Sequence, residues 1–353
     1  MKGLFRIILL IVNLLLAVAL IVSTLAGSIE PSRMVVVSIL SYGYVLFLIA
    51  NVLFIIVWLC LSRWEFLISV IAIAVRMSFL PLFFQVGGTA EHVQGDDIVR
   101  VMAFNTHGFN GLDNDTLMTR DSGAVMFLEL VDEEEPDIIC LQEYSGLRKN
   151  WVRDSLTARG YTHHFGVHGE ERLTPSILFT RLPVTQGQLM DKKTKFYVDL
   201  KKGNRALRVC CVHLDSYELT PDDYESLERL SHAQTDSSTH KLLHKFIETT
   251  RQHEREWKTE LLPLIESTTT PIVIAGDYND TPASYIYQQA TRLLKDPYVE
   301  QGRGFGTTYH GPFPAFRIDY ILHSSNLEAL SYKRISTPIS DHYPIVTDLR
   351  FMD

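Results

Sequence analysis

Six short stretches of this 353-residue chain end an apolar run in side chains that bind metals or move protons. FNTHGFN offers Asn105 and His107, IICLQE offers Gln142 and Glu143, and CCVHLDS offers His213 and Asp215. AGDYND offers Asp277, Asn279 and Asp280, FRIDYILH offers Asp319, and ISDHYPI offers Asp341 and His342. Together they suit metal-assisted attack of water on phosphorus. Carboxylate and amide oxygens hold a hard divalent cation, the cation draws charge from anionic phosphate oxygens, and histidine and carboxylate move the protons. Each fragment alone has a plainer explanation, since a carboxylate at a strand end commonly caps a turn or a helix. Their joint placement, each beside an apolar run, favours the chemical reading.

Other motifs fail on their own geometry. DYNDTPAS begins like a calcium loop but has Pro282 and Gln288 where that loop needs Gly and Glu. His253-Glu254 opens a zincin motif, with Trp257 where the second His belongs. Gly302-Arg303-Gly304-Phe305-Gly306 follows polar residues rather than a strand, so it is a poor dinucleotide fingerprint. His240 and His244 stand at helical spacing without a third ligand nearby and read as a solvated helix face. The four cysteines, Cys60, Cys140, Cys210 and Cys211, have no C-x-x-C spacing and read as packed thiols.

To meet in one place, these residues need strands whose ends coincide. Apolar runs predict strands at 98–104, 138–141, 177–180, 196–200, 207–214, 272–275, 318–322 and 345–349, and helical periodicity appears at 124–131, 242–265 and 284–294. Alternation puts Asp277 and Asn279 on one side with Tyr278 pointing away, and aligns His213 with Asp215. Asp280 faces away from that pair and reads as a cap for a helix starting near Ser284. Many strands with interspersed helices predict a two-sheet α/β sandwich, the alternative from pattern alone being a doubly wound sheet. The polar, acidic stretch between Asp215 and His240 reads as an insertion or lid.

The first 90 residues differ in kind. They contain five basic and two acidic side chains, and the rest of the chain carries 28 basic against 39 acidic, a formal charge of −11. An acidic domain has no broad attraction for a polyanion, which disfavours tight nonspecific nucleic-acid binding but leaves room for a local basic cleft. Segments 7–26, 34–61 and 66–86 approach or exceed the roughly 20 apolar residues that cross a hydrocarbon core. Arg76 interrupts the third at a cost of about 2.5–3.5 kcal/mol, which its many Leu, Ile, Val and Phe residues offset at roughly 0.3–0.6 kcal/mol each. Lys2, Arg6 and Arg63 place their ends in the cytoplasm. Three spans then make a multi-pass protein of the plasma (inner) membrane with an extracytoplasmic catalytic domain. Failure of the third span would leave that domain cytoplasmic. The first span also resembles a signal peptide, and its cleavage would leave the other two as a hairpin. The expected division is 1–88, a membrane region with about three transmembrane helices, and 96–353, a catalytic domain.

Taken in order, Asn105, Glu143, His213, Asp277-x-Asn279, Asp319 and Asp341-His342 resemble the endonuclease/exonuclease/phosphatase superfamily over residues 97–350. The stretch GFGTTYHGPFPAFRIDYILH is similar to a membrane-anchored bacterial branch of it. The resemblance implies a four-layer α/β sandwich, two packed mixed β-sheets flanked by helices, preceded here by an N-terminal transmembrane helical region. It implies Mg²⁺ as cofactor, with Mn²⁺ as the alternative, held by Glu143 with Asn105 and Asp341. It implies that Asp319 polarises His342 and that either this dyad or Asp277 activates the water; we assign water orientation and activation to Asp277, with Asn279 and His342 stabilising the phosphorane. His213 would touch phosphate or aid the leaving group. Thr174-Pro175-Ser176 departs from the Gly-Asn of many relatives, so a phosphate contact there is not carried over, and His107 is taken as groove-lining. The implied function is a membrane-tethered, Mg²⁺-dependent phosphoric-ester hydrolase, a phosphodiesterase or phosphatase acting on lipid or small phosphoesters. The alternatives are an extracytoplasmic DNA or RNA nuclease of the same fold and a non-catalytic sensor or scaffold. The implied partners are the phosphoester substrate (lipid, small molecule or nucleic acid) and the membrane; no protein partner is inferable.

Overall fold

The structure is a computed structural model that describes residues 2–110, 120–145, 149–166, 176–191, 194–217, 220, 222–223, 237–311 and 316–352. Thr174, Pro175 and most of the expected 215–240 insertion lie outside the described residues. In chain order the first elements are helices α1 (Lys2–Ser23), α2 (Pro31–Tyr42), α3 (Tyr44–Cys60) and α4 (Phe66–Val75), then β1 (Phe84–Gln85), β2 (Ile98–Asn105), α5 (Arg120–Glu134), β3 (Ile138–Gln142) and α6 (Lys149–Ala158). Strands β4 (His163–Gly166), β5 (Ile177–Thr180), β6 (Val184–Leu189), β7 (Phe196–Lys202) and β8 (Arg205–His213) follow. The chain continues through α7 (Ser237–Glu256), α8 (Leu262–Ser267), β9 (Ile272–Asp277), α9 (Tyr285–Ala290), α10 (Pro297–Gln301), β10 (Gly304–Phe305), β11 (Asp319–His323), β12 (Leu327–Arg334) and β13 (Ile345–Phe351).

These elements form two compact units. The first comprises Met1–Pro81, Tyr217–Trp257 and Asp280–Ala290, and so contains α1–α4, α7 and α9. Its helical stretch Gly3–Ser28 is long and apolar enough to cross a membrane, and α2 with α3 passes the same test only as a pair bent by 55°. The segment expected to span at 66–86 is different: α4 has ten residues, about 15 Å of helix against a core of about 30 Å. It stops at Arg76, and a 3₁₀ turn containing Pro81 takes over. Inside this bundle, Asn13 donates to Ser69 Oγ at 2.6 Å and accepts from Trp58 Nε1 at 2.9 Å, and Arg6 pairs with Glu65. Helix α7 lies against α2, where the Ser32 amide and hydroxyl donate to the Glu254 carboxylate at 2.7 and 2.9 Å.

The second unit comprises Leu82–Ser216, Lys258–Asn279 and Thr291–Asp353. Its five-stranded sheet has the order β11-β9-β8-β7-β6 and its six-stranded sheet β12-β13-β2-β3-β5-β4. The pairs β8–β9 and β2–β3 are parallel and their neighbours antiparallel, so both sheets are mixed. Side chains alternate along each strand, and one parity fills the space between the sheets. Val209, Cys211, Val273, Ala275 and Ile321 from one sheet join Val99, Val101, Ala103, Ile138 and Cys140 from the other. The opposite parity of the six-stranded sheet, with Met102, Phe104, Ile139 and Leu141, packs with Phe127 and Val131 of α5 and Val152 and Leu156 of α6. On the five-stranded sheet, Arg208 of β8 donates to Thr268 Oγ1 just beyond α8 at 3.0 Å. Two mixed sheets flanked by helices are therefore present, as the strand runs predicted.

Candidate active site

The parity that builds the inter-sheet core runs on into the polar residues. Val209 and Cys211 lead to His213, Val273 and Ala275 lead to Asp277, and Ile321 lies on the same side as Asp319. Strand register then sets His213 beside Asp277 and Asp277 beside Asp319, a row across three strands. In the other sheet Asn105 is registered beside Gln142, and Glu143 follows. Because β11 and β13 run antiparallel to β9 and β2, their starts bring Asp319, Asp341 and His342 to the end where the parallel strands finish. The site is thus the polar top layer of the core.

Asn105 ties the two sheets together, its Nδ2 donating to Asp277 Oδ2 at 2.9 Å and to Glu143 Oε1 at 3.2 Å. His213 Nε2 lies 3.8 Å from both Glu143 Oε1 and Asp277 Oδ2, and His342 Nε2 lies 3.8 Å from Asp277 Oδ2. His342 Nδ1 is 2.9 Å from Asp319 Oδ2. Strand β9 ends at Asp277, and Asn279 takes a φ of 49°, so a hydrogen bond from the Asn279 amide to Asp277 Oδ1 at 2.8 Å unites the pair rather than strand alternation. The Asn279 side chain donates to the Leu214 carbonyl at 3.0 Å. His107 Nδ1 lies 3.5 Å from Glu143 Oε2 and 3.8 Å from Asp341 Oδ1, a closer engagement than lining a groove. Asp215 lies beyond the end of β8 and is exposed. Asp280 does not cap α9, whose Tyr287 amide donates instead to Ser284 Oγ at 3.4 Å; Asp280 is bonded to His253 and Tyr42.

The family model described as the Endonuclease/Exonuclease/phosphatase family matches residues 102–342, more than half of the chain. The chain belongs to that family. As a member of the endonuclease/exonuclease/phosphatase family it is a hydrolase acting on phosphoester bonds. A second model, described only as a domain of unknown function, matches residues 6–83. No curated protein sequence matches the chain. Among solved structures, it is similar to a Danio rerio TDP2 humanised by 14 mutations, at 14% identity over 72% of this chain and 99% of that one, with a TM-score of 0.50. It is also similar to the human Nocturnin catalytic domain with bound sulfate, at 18% identity over 72% and 94% and a TM-score of 0.49. An endonuclease/exonuclease/phosphatase from Bacteroides vulgatus matches at 19% identity over 72% and 99%, with a TM-score of 0.49.

Burial and charge set the protonation states of this family member. Burial, then the charge of Asp319, push the Asp277 carboxyl up to about 6, against the opposing pull of His342, His213 and Asn105. Burial disfavours the cationic form of His342, but the carboxylates of Asp319 and Asp277 outweigh it and hold the imidazole up at about 10. Burial also opposes ionisation of Glu143, yet its hydrogen bond with His107, the charge of His213 and its bond with Asn105 bring it down to about 2. At neutral pH the site therefore holds a carboxylate that can accept a proton, an imidazolium that can donate a hydrogen bond, and a permanently ionised glutamate.

The donors fit a hard divalent cation. Glu143 is partly open, while Asn105 bonds it and Asp341 shares His107 with it. Asp277, Asp319 and His342 also have ligand atoms within 4.8 Å of one another. That second grouping is fully buried and two of its members are already bonded to each other, so the Glu143 side is the better seat. Both ring nitrogens of His213, Asp319 Oδ1 and both polar atoms of the Gln142 side chain are buried without a hydrogen-bond partner among the described residues. Such buried groups in a native site await a ligand or water.

Several supports are residue types that do not themselves bind metals or carry the chemistry. Ser340 donates to the Asn105 carbonyl at 2.8 Å and accepts from the His342 amide at 3.1 Å. Thr308 accepts from the Ile318 and Asp319 amides, each at 3.0 Å, and Thr106 donates to the Glu143 carbonyl at 2.9 Å. The Tyr309 ring meets the His342 ring edge-on at 5.2 Å. Ser340 and Thr308 stand inside SDHYP and GFGTTYH, so their neighbours in sequence were the available signal.

Proposed function

We propose that the chain is a membrane-tethered, Mg²⁺-dependent phosphoric-ester hydrolase, with Asn105, Glu143 and Asp341 holding the cation and His213, Asp277, Asn279, Asp319 and His342 performing the reaction. The observation that supports this is the register row His213–Asp277–Asp319, bonded through Asn105 to Glu143. Mg²⁺, or Mn²⁺ in its place, supplies positive charge to the phosphate oxygens when bound. Asp277 accepts a proton from the attacking water. His342, kept cationic by Asp319, donates to a phosphate oxygen as negative charge gathers on the pentavalent phosphorus. The Asn279 amide, with one N–H on Leu214, retains a second N–H for the same oxygens. His213 faces the site with neither ring nitrogen hydrogen-bonded among the described residues and protonates the departing oxygen.

Tethering is supported by Gly3–Ser28 and by apolar side chains such as Leu14, Leu15, Val18, Leu53, Ile56 and Leu59, which stay exposed on α1 and α3. A lipid or small phosphodiester suits such an anchor and the acidic remainder of the chain. With Lys2, Arg6 and Arg63 on the cytoplasmic side and α4 too short to cross, the catalytic domain is cytoplasmic, the outcome that goes with failure of the third span. Protease added to intact cells should leave it intact, and digestion would overturn that placement.

The full chain in detergent, supplied with Mg²⁺ or Mn²⁺, tests the activity against sphingomyelin, phosphatidylinositol phosphates, bis(p-nitrophenyl) phosphate, DNA and RNA. Hydrolysis of a lipid or small diester, lost in Asp277→Ala and His342→Ala and on chelation, is the expected result. Selective cleavage of DNA or RNA would replace the lipid reading with the nuclease one. Turnover that survives both substitutions would remove the proposed site.

A further inference from the structure

In the first unit a buried polar cluster joins three distant parts of the sequence. The Tyr42 hydroxyl, at the last residue of α2, is hydrogen-bonded to both the Tyr217 hydroxyl and the Asp280 carboxylate. Asp280 also binds His253 Nδ1 of α7 at 3.0 Å, and Tyr217 meets Thr250 Oγ1 of α7 at 3.3 Å. The Phe246 ring stacks on Tyr217 at 4.7 Å and meets Tyr42 edge-on at 6.0 Å. Asp280, Thr250 and His253 are all at most 4% exposed. A hydroxyl that links a buried carboxylate to a second buried hydroxyl is costly to remove, because each partner then loses a bond it cannot replace with water.

The two segments that Tyr42 bridges are the continuations of the two strands that carry His213 and Asp277. Asp280 is the residue after Asn279, and Tyr217 is the third after Leu214, the acceptor of the Asn279 side chain. Asn279 itself holds a left-handed backbone, a conformation that persists only where its surroundings enforce it.

We propose that Tyr42 is a positioning residue for hydrolysis: by clamping Tyr217 to Asp280 it fixes the backbone that presents Asn279 and the end of β9. The N-terminal region matched as a domain of unknown function is then part of the catalytic apparatus as well as an anchor. This rests on the hydrolase reading above. A clamp of this kind changes how well the reacting groups are aligned rather than how tightly substrate binds, so its loss falls on kcat.

The test compares the full chain in detergent with Tyr42→Phe and with Ser32→Ala, which removes the Ser32 hydroxyl's bond to Glu254 at the other end of α2. Hydrolysis of bis(p-nitrophenyl) phosphate, thermal midpoint, and hydrogen exchange of peptides covering 214–217 and 277–280 are measured for each. Tyr42→Phe should lower kcat by between about tenfold and a hundredfold with KM changed less than about twofold, and should speed exchange in both peptides. Ser32→Ala should lower the thermal midpoint while leaving kcat and those peptides as in the wild type. Wild-type kcat in Tyr42→Phe, or an equal loss of kcat in Ser32→Ala, overturns the proposal. Unchanged exchange in Tyr42→Phe overturns it even where the wild type fails to cleave this ester. Absence of wild-type turnover on every ester, with exchange raised as expected, removes the hydrolase reading and leaves the clamp standing.

Discussion

Replacing Asp319 with Asn should move both limbs of the pH–rate profile towards acid. In the wild type kcat/KM should rise as Asp277 loses its proton near pH 6 and fall as His342 loses its own near pH 10. Asp319 acts on both groups in the same direction: its charge raises Asp277 by repulsion and His342 by attraction. Asparagine keeps an oxygen to accept the 2.9 Å bond from His342 Nδ1, so ring orientation survives while the charge goes. A unit charge at this distance is worth roughly 6 kcal/mol at an effective dielectric of about 20, or about four pKa units before solvent screening reduces it. With a fall of about three units the alkaline limb lies near pH 7, leaving about 1% of His342 cationic at pH 9 and about 90% at pH 6. Activity relative to wild type should drop about 100-fold at pH 9 and less than about twofold at pH 6 through this limb, while the acid limb moves below 6. Bis(p-nitrophenyl) phosphate suits the assay because its single negative charge is constant over the range. A uniform loss at every pH, with both limbs where they were, would show that Asp319 does not set these charges.

Three further outcomes are expected. Glu143→Gln should weaken Mg²⁺ and Mn²⁺ binding at least about tenfold by titration calorimetry; because Glu143 ionises at about 2, the wild type should keep its affinity down to about pH 5. His213→Ala should lower kcat by about 100-fold or more with little change in KM, as for loss of a proton donor. Gly276→Ala should destabilise the fold by more than about 2 kcal/mol, read as a lowered denaturation midpoint, because at a φ of 144° the added Cβ would sit 1.9 Å from the Val212 carbonyl and 2.9 Å from Gln142 Nε2.

Most of the central strands were legible because they are buried on both faces and therefore spell continuous apolar runs, while β7 showed through its alternating Phe196, Val198 and Leu200. All eight predicted runs are strands, and 177–180 has the same ends in sequence and structure. The three longer strands that the runs did not reveal, β4, β6 and β12, are all sheet edges. HHFG and VTQGQL face water and carry no apolar run, and LEALSYKR alternates. Asn105, His213, Asp277 and Asp319 were visible because each stands at the end of a legible strand, and their convergence followed from parity and register; Glu143, Asn279, Asp341 and His342 stand in the loops beside such strands. What sequence could not supply was the tertiary role of single polar residues. Asp280 looked like a helix cap by position, yet burial against Tyr42 and His253 decides its role, and no spacing rule links residues 238 positions apart. The short reach of α4 likewise depends on where the helix breaks at Arg76, which composition alone does not show.

The shared parity of core and site has an evolutionary consequence. Since the same alternation that buries Val273 and Ala275 also delivers Asp277, deleting one residue from β9 would turn the whole strand over and ruin the interior together with the reaction centre. Descendants that abandon catalysis can therefore do so only by exchanging side chains within an unchanged frame. Inactive members of this lineage would keep strand lengths intact and betray themselves at a few positions, while indels gather in the connecting loops.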